Sequence, residues 1–303
     1  MIEVKNLTKT FGTFRAVDNI SFEAWRGEVV GFLGPNGAGK TTTMRILTGF
    51  IPPTSGEARV AGFDVFSDSL EVRKRVGYLP ETVPVYPDMT VYGYIKFWAE
   101  LRGLRRPRQR VDEVIELVQL TDRKHSLIRN ISKGMRQRLG LAQAIVHDPE
   151  VIILDEPTIG IDPQQVIEVR ESVRALGTDH TVLFSTHILS EAEQVCDRVL
   201  IIHKGRIVAE GAPASLRQKL QPEAHLYVVI GRAETEPARQ FLLTIPGVES
   251  VEIQGDGFNL RVKSGADVRP VISEAIHQAG YQLLEFRPVA MTLEDIFLDI
   301  VGR

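Results

Sequence analysis

Residues 29–41 read VVGFLGPNGAGKT and decide the fold of this chain. The first five residues are an apolar run without polar alternation, which is typical of a strand covered on both faces. The next eight match the pattern G-x-x-x-x-G-K-[ST], and a helix-like stretch follows at residues 42–47. Glycines in such a loop let backbone N–H groups turn inward around phosphate oxygens, and the helix N-terminus adds its positive dipole. The stretch therefore predicts a strand, a phosphate-binding loop and a helix in succession; a plain glycine-rich turn is the alternative.

The loop assigns expected roles to single residues. Lys40 reaches the terminal phosphates of a nucleotide, and the Thr41 hydroxyl is a ligand for Mg²⁺. The residues expected to contact the nucleotide are Gly34, Pro35, Asn36, Gly37, Ala38, Gly39, Lys40, Thr41 and Thr42.

A second apolar run, residues 151–154, ends in two adjacent carboxylates, Asp155 and Glu156. Open parallel sheets bind their ligands at the carboxyl ends of the strands. Asp155 suits the shell of a metal ion, and Glu156 is then free to orient and deprotonate a water in line with the terminal phosphate. Alone, the pair is equally compatible with the start of an exposed loop, and the phosphate loop favours the catalytic interpretation.

The surrounding sequence predicts a layered α/β domain. Further buried strands are expected at residues 181–185 and 199–202, with helices between the strands. Apolar residues three and four apart at residues 111–118 give one of these helices an apolar face. The arginine-rich segment 102–110 is expected to be a solvated loop surface.

Composition limits the class of protein. The chain has 303 residues, 43% hydrophobic and 25% charged, so it can bury a core and form two domains. Its net charge of −3 gives no whole-chain field that would attract nucleic acid. The one cysteine, Cys196, is expected to pack as a small hydrophobe, and without a secretory signal pattern the expected location is a reducing cytoplasm. No apolar run approaches the roughly 20 residues that span a bilayer, so work at a membrane would need another chain.

Together, these motifs resemble those of the nucleotide-binding subunits of ATP-binding-cassette (ABC) transporters. Residues 131–135, ISKGM, lie where that family has its signature L-S-G-G-Q, and they keep Ser132 and Gly134. The resemblance implies that this segment closes over ATP held by a partner subunit. Lys133 and Met135 depart from the common form and are similar to variants in export-type subunits linked to antibiotic resistance and gliding motility.

Four more positions take their expected roles from the resemblance. His187 corresponds to the switch histidine that contacts the terminal phosphate, and Asp162 lies in the dimer-contact loop, where it can also cap the next helix. Phe11 stands where an aromatic ring stacks on adenine. Glu81 stands where the family usually has a glutamine that senses the metal and the membrane partner, which places it near Mg²⁺. The implied cofactors are ATP and Mg²⁺.

The resemblance also implies partners. The phosphate loop and the signature face different nucleotides, so the working unit is a head-to-tail dimer around two ATP, formed by two copies or by paired related subunits. Hydrolysis would drive integral-membrane permease subunits, which places the chain at the inner face of the cell membrane, and no nucleic-acid partner is expected. Tyr86, Pro87 and Met89 are candidates for the groove that receives a permease helix, or else core residues.

An exporter ATPase is thus the leading interpretation. The alternatives are a soluble cassette ATPase that acts on the ribosome or nucleic acid, and a cassette that binds ATP as a switch without turning over.

The predicted fold class is a P-loop NTPase cassette, with a mixed, largely parallel sheet and a helical subdomain at residues 1–215, followed by a small α+β ferredoxin-like domain. A linker is expected at residues 216–225, and residues 226–303 are predicted to form the accessory domain. Its predicted order is β-α-β-β-α-β, with a hairpin turn at residues 255–257.

The accessory domain is the least defined part in function. A short terminal helix is expected at residues 292–301, and residues 292–297 resemble the closing segment of export-type subunits. A dimerisation or regulatory module and a small-molecule sensor are the alternative roles. The absence of a lysine- or aromatic-rich sheet face argues against RNA binding.

Overall fold

The structure, a computed structural model, describes residues 1–219, 224–231, 234–262 and 268–289. The chain divides into two compact units, Met1–Pro213 and Ala214–Arg303. The terminal helix predicted at residues 292–301 lies outside the described residues.

The first unit combines two sheets with helices. Its strands are β1 (Ile2–Phe11), β2 (Phe14–Ala24), β3 (Val29–Leu33), β4 (Ser55–Val60), β5 (Phe63–Asp64), β6 (Val76–Leu79), β7 (Val151–Asp155), β8 (Thr181–Thr186), β9 (Arg198–His203) and β10 (Arg206–Gly211). Its helices are α1 (Lys40–Leu47), α2 (Ser69–Arg75), α3 (Val91–Leu101), α4 (Arg108–Leu117), α5 (Lys133–Ile145), α6 (Pro163–Gly177) and α7 (Leu189–Val195). Helix α8 (Pro213–Lys219) follows.

The larger sheet has the order β10-β9-β3-β8-β7-β6, with parallel neighbours except for the antiparallel pair β9 and β10. Every residue of β3, β7 and β8 is buried, because helices and the smaller sheet cover both faces. This confirms the predicted largely parallel sheet and its apolar strands. The register pairs Leu33 with Thr186 and Asp155 with Ser185, so the carboxyl ends of β3, β7 and β8 meet at one edge.

The helical subdomain lies between β6 and β7 and contains α3, α4 and α5. Helix α4 buries Val111, Val114 and Ile115, as the predicted apolar face requires. The arginine-rich segment 102–110 is not wholly a solvated loop, because α4 begins at Arg108. Arg110 donates to the backbone carbonyls of Ile145 and Val146 and so anchors the end of α5.

The smaller sheet, order β2-β1-β4-β5, is antiparallel and was not anticipated. Register shifts interrupt the pairing of β1 with β2, so the polar and apolar residues of these strands do not alternate regularly. The hairpin between the two strands turns at Gly12 and Thr13 and brings Phe11 opposite Phe14.

The second unit confirms the predicted α+β order. Its elements are β11 (Ala224–Gly231), α9 (Thr235–Leu243), β12 (Val248–Gln254), β13 (Gly257–Val262), α10 (Arg269–Gln278) and β14 (Gln282–Val289). They form an antiparallel sheet of order β12-β13-β11-β14, which has the ferredoxin-like topology. The predicted hairpin closes at Gly255 and Asp256.

The segment predicted as a linker, residues 216–225, is mostly regular structure. Helix α8 continues to Lys219, and Ala224 already begins β11; residues 220–223 lie outside the described part. Pro213 at the first position of α8 is a favourable helix start, which outweighs the weak apolar periodicity. In the described part of the chain, no helix is long and apolar enough to cross a bilayer.

Candidate functional site

The phosphate loop connects β3 to α1, and its backbone conformation requires glycine at two positions. Gly37 and Gly39 have φ of 78° and 112°, a region that side chains disfavour. A Cβ on Gly39 would also lie 2.5 Å from the Ala16 carbonyl oxygen. With Gly39 as the N-cap of α1, the loop can turn successive N–H groups toward an anion.

Lys40, Glu156 and His187 form a continuous chain of polar contacts at the sheet edge. The buried Lys40 ammonium donates to the Gly34 carbonyl at 2.6 Å and lies 3.1 Å from Glu156 Oε1. The other carboxylate oxygen, Oε2, lies 2.9 Å from His187 Nδ1. His187 is the most exposed of the three, with 37% of its side chain accessible to solvent. The structure thus brings together three predicted residues that are up to 147 positions apart in the sequence.

Glu156 has an unusual backbone conformation for a residue with a side chain. Its φ is 51°, in the left-handed region, where such residues are uncommon. Its N–H donates to Ser185 Oγ at 2.9 Å, and its carboxylate contacts Lys40 and His187. The surroundings therefore fix the direction in which this carboxylate points.

Asp155 is fully buried, and its two oxygens differ. Oδ1 accepts hydrogen bonds from Ser185 Oγ at 2.8 Å and Thr41 Oγ1 at 3.3 Å. Oδ2 is buried without a hydrogen-bond partner in the described part of the chain. Burial raises the pKa of Asp155, and the charges of Glu156 and Glu81 act in the same direction, against the two hydroxyl hydrogen bonds.

The unpartnered carboxylate oxygen of Asp155 and the nearby Thr41 hydroxyl are suitable ligands for a Mg²⁺ ion. Among the described residues, no group of three or more His, Cys, Asp and Glu side chains could hold a metal by itself. Mg²⁺, however, is usually bound by one or two carboxylates plus substrate phosphates and waters. Asp155 and Thr41 therefore match the donor set of a metal held jointly with a nucleotide.

A cavity of about 310 Å³ adjoins the phosphate loop. Its lining includes Phe14 and Glu81 together with Lys40, Thr41 and Glu156. It thus places Glu81 at the phosphate loop. The lining does not include Phe11, whose ring lies 5.1 Å from Lys9 Nζ.

A larger cavity, of about 620 Å³, lies at the other edge of the sheet. It adjoins Glu150 and Thr181, where β7 and β8 begin, and its lining includes none of the predicted site residues.

The segment of residues 131–135 forms the N-terminus of α5. Ser132 is the N-cap, and its Oγ accepts a hydrogen bond from the Met135 N–H at 3.2 Å. Gly134 lies against Gln165 of α6, so closely that a Cβ would lie 1.5 Å from Gln165 Oε1. Asp162 caps α6, since its Oδ1 accepts from the Gln165 N–H at 3.1 Å. In the described structure, Ser132, Gly134 and Asp162 do not line the cavity at the phosphate loop of their own chain.

The candidate groove residues are not core residues. Tyr86 and Pro87 are exposed, and Met89 is partly exposed. Tyr86 packs against Phe97 and Tyr94 of α3, with ring centroids 5.9 and 6.1 Å away.

Three residues at the site were not assigned roles from the sequence: Ser185, Glu191 and Phe14. Ser185 and Glu191 are buried polar residues, and a serine at the end of an otherwise apolar strand is the only signal that the sequence carries. Cys196 packs beside Gly31 of β3, and burial raises its pKa, which agrees with the predicted role as a small hydrophobe.

Two family models and several relatives match this chain. Residues 17–159 match the family model "ABC transporter", and residues 211–301 match "ATP-binding protein DrrA1-3-like, C-terminal domain". The chain is 32% identical to the linearmycin resistance ATP-binding protein LnrL of Bacillus subtilis, over 100% of this chain and 99% of that protein. It is 33% identical to the bacitracin transport ATP-binding protein BcrA of Bacillus licheniformis, over 100% of this chain and 97% of that protein.

A solved ATP-binding subunit of an ABC transporter shares the fold of most of this chain. It superposes with a TM-score of 0.66 at 30% identity, over 72% of this chain and 92% of that one.

Proposed function

The chain belongs to the family of ATP-binding subunits of ABC transporters and is an ATPase. From this premise we propose that it powers an exporter through the site formed by Lys40, Glu156 and His187. The observation that carries the proposal is the contact chain from Lys40 Nζ through both Glu156 oxygens to His187 Nδ1. This contact chain supports the proposal because an ammonium, a carboxylate and an imidazole lie side by side next to the phosphate loop.

In this proposal Glu156 is the general base. Its carboxylate is positioned by the ion pair with Lys40 and the contact with His187, so it can take a proton from a water in line with the terminal phosphate. The Lys40 ammonium has three donor hydrogens, so it can keep the Gly34 carbonyl and exchange Glu156 for a phosphate oxygen. His187, which is 37% exposed and contacts Glu156, is proposed to contact the same phosphate.

Mg²⁺ would be held by Thr41 and Asp155 and would neutralise negative charge on the phosphates. The unpartnered Oδ2 of Asp155 supports this assignment. Glu81 lines the same cavity and is proposed to act in the vicinity of the metal.

We further propose a head-to-tail dimer as the working unit, made of two copies or of paired subunits. The cavity at the phosphate loop is not lined by Ser132, Gly134 or Asp162 of the same chain. These residues would therefore act on ATP bound by the other subunit, with the N-terminus of α5 directed at its phosphate.

The exposed Tyr86 and Pro87, supported by the aromatic rings of α3, are proposed to contact a membrane-spanning permease subunit. Such a partner would hold the chain at the inner face of the cell membrane. The names of the relatives, which concern antibiotic resistance and transport, support export. They do not favour a soluble ATPase of the ribosome or nucleic acid.

The test is steady-state ATP hydrolysis by purified wild-type, Lys40→Ala and Glu156→Gln proteins. Loss of the base in Glu156→Gln should lower kcat by about 10²-fold or more. Glu150→Gln is the matched control, because this exposed residue undergoes the same chemical change outside the site. Glu156→Gln with ATP should also form a dimer on size-exclusion chromatography.

The proposal fails if Glu156→Gln keeps the wild-type rate or stays monomeric with ATP. Capture from detergent-solubilised membranes tests the transport role separately. A multi-span partner supports it, and ribosomal or DNA partners would overturn it.

A further inference from the structure

Glu191 is a buried carboxylate to which the proposed mechanism assigns no role. It lies on α7, four residues after His187, and only 2% of its surface is exposed. A carboxylate at this depth is costly unless hydrogen bonds and a cation compensate it.

Its partners lie beside the two residues proposed for catalysis. Oε2 accepts hydrogen bonds from Thr158 Oγ1 at 2.6 Å and from Thr186 Oγ1 at 3.0 Å. Thr158 is two residues after Glu156, and Thr186 immediately precedes His187. One carboxylate oxygen therefore ties together the backbone segments that carry Glu156 and His187.

The other carboxylate oxygen of Glu191 lies near a cation, which offsets part of the cost of burying its charge. Oε1 of Glu191 lies 3.8 Å from Arg170 Nη2 of α6, which supplies a nearby cation. Both threonines are buried, at 4% and 0% exposure, so water cannot replace their contacts.

A helix-capping role does not explain the arrangement. Glu191 is the third residue of α7, where a capping-box glutamate would accept from the N-cap N–H. The N-cap is Ile188, and its N–H donates instead to Thr186 Oγ1 at 3.0 Å. The Glu191 side chain is directed to the threonines.

We propose that Glu191 is a positioning residue for ATP hydrolysis: through the hydroxyls of Thr158 and Thr186 it sets the relative placement of Glu156 and His187. The Glu156 segment leaves β7 with a left-handed residue, and the Ile159 N–H donates to the Glu156 carbonyl at 3.2 Å, which closes a tight turn around Thr158. Ser185 holds this turn at the Glu156 N–H, and Glu191 holds it at the Thr158 hydroxyl.

The inference deepens the proposed function and rests on its assignment of Glu156 and His187. A positioning residue affects the chemical step more than ground-state binding, because a displacement of about 1 Å can cost about 100-fold in rate. We therefore expect Glu191→Ala to lower kcat about 10- to 100-fold, with KM for ATP within about twofold of wild type. Glu191→Gln should stay within about threefold, since its amide oxygen can accept from both hydroxyls.

A matched pair at Thr158 tests the contact with little change in volume. Thr158→Ser keeps the hydroxyl and should keep the rate, whereas Thr158→Val removes it and should lower kcat about tenfold. Adding Thr158→Val to Glu191→Ala should cause no further loss, because both changes break the same contact. Val173→Ala, a core truncation in α6, controls for lost stability: it should lower the unfolding temperature and leave kcat unchanged.

Each other outcome overturns the inference. It fails if Thr158→Val matches Thr158→Ser, if the loss is in KM rather than kcat, if Glu191→Gln is as slow as Glu191→Ala, or if Val173→Ala loses as much kcat. Parallel assays of Glu156→Gln and His187→Ala separate the two proposals. If these variants keep the wild-type rate, the proposed function fails; if they are inactive and the Thr158 pair is equal, only the role of Glu191 fails.

Discussion

Replacement of Ser185 by alanine should destabilise the first unit far more than a serine-to-alanine change normally does. Ser185 is fully buried, and its one hydroxyl bridges the Glu156 N–H at 2.9 Å and Asp155 Oδ1 at 2.8 Å. Leaving a buried N–H unpaired costs about 1–3 kcal/mol, and losing a hydrogen bond to a charged group costs about 1.5–3 kcal/mol. Asp155 keeps the contact with Thr41, so we expect a decrease of about 3 kcal/mol in the free energy of unfolding.

The assay is thermal and urea unfolding, followed by a probe of the first unit. For a unit of this size, about 3 kcal/mol corresponds to a decrease of about 6–12 °C in unfolding temperature. Ser172→Ala is the matched control: this buried serine donates at 3.0 Å to the Glu168 carbonyl within its own helix, and the Leu117 carbonyl is 3.5 Å away, so the loss of the hydroxyl should cost at most about 0.5 kcal/mol. Equal shifts for the two variants, or a Ser185→Ala shift under about 1 kcal/mol, would refute the bridging role.

Two further predictions concern nucleotide binding and acid stability. Phe14→Ala should weaken ATP binding about tenfold in a calorimetric titration, since base stacking contributes about 1–3 kcal/mol. Phe11→Ala should change ATP binding less than about threefold, because Phe14 lines the cavity and Phe11 does not. A larger loss of binding with Phe11→Ala would instead assign the adenine contact to Phe11. Burial lowers the pKa of His147 to about 4, with its Nε2 3.2 Å from the Val76 carbonyl. The unfolded chain therefore binds the proton of His147 more tightly than the folded chain does. The contribution of neutral His147 to the free energy of unfolding is complete above the ordinary pKa of about 6.5, and it decreases by up to about 3 kcal/mol as the pH drops toward 4. His147→Gln should flatten this part of the pH profile in urea unfolding, and an unchanged slope would contradict the assignment.

The motifs made of consecutive residues were predictable. The phosphate loop combines a strand, glycines with left-handed backbone and a helix start within 13 residues, so local geometry determines its chemistry. The carboxylates at the end of β7 and the imidazole after β8 were predictable in position, because strands of a parallel sheet end at one edge. The ferredoxin-like unit followed from its order of strands and helices.

Other features could not be read from the pattern. The antiparallel sheet of β1, β2, β4 and β5 was missed because register shifts interrupt its alternation. The linker prediction at residues 216–225 was wrong because weak periodicity does not exclude a helix that begins at a favourable proline. The segment at residues 102–110 was partly misassigned because the sequence does not reveal which carbonyls Arg110 would contact.

The sequence by itself determined that the chain binds a nucleotide phosphate and belongs to a cassette ATPase family, because those properties reside in short contiguous motifs. Only the tertiary structure decided how the site is held. Ser185 joins Asp155 and Glu156 across neighbouring strands, and Glu191 joins Thr158 and Thr186 from a helix. Such contacts depend on the strand register and on burial that removes competing water, and neither property can be read from the amino-acid sequence alone.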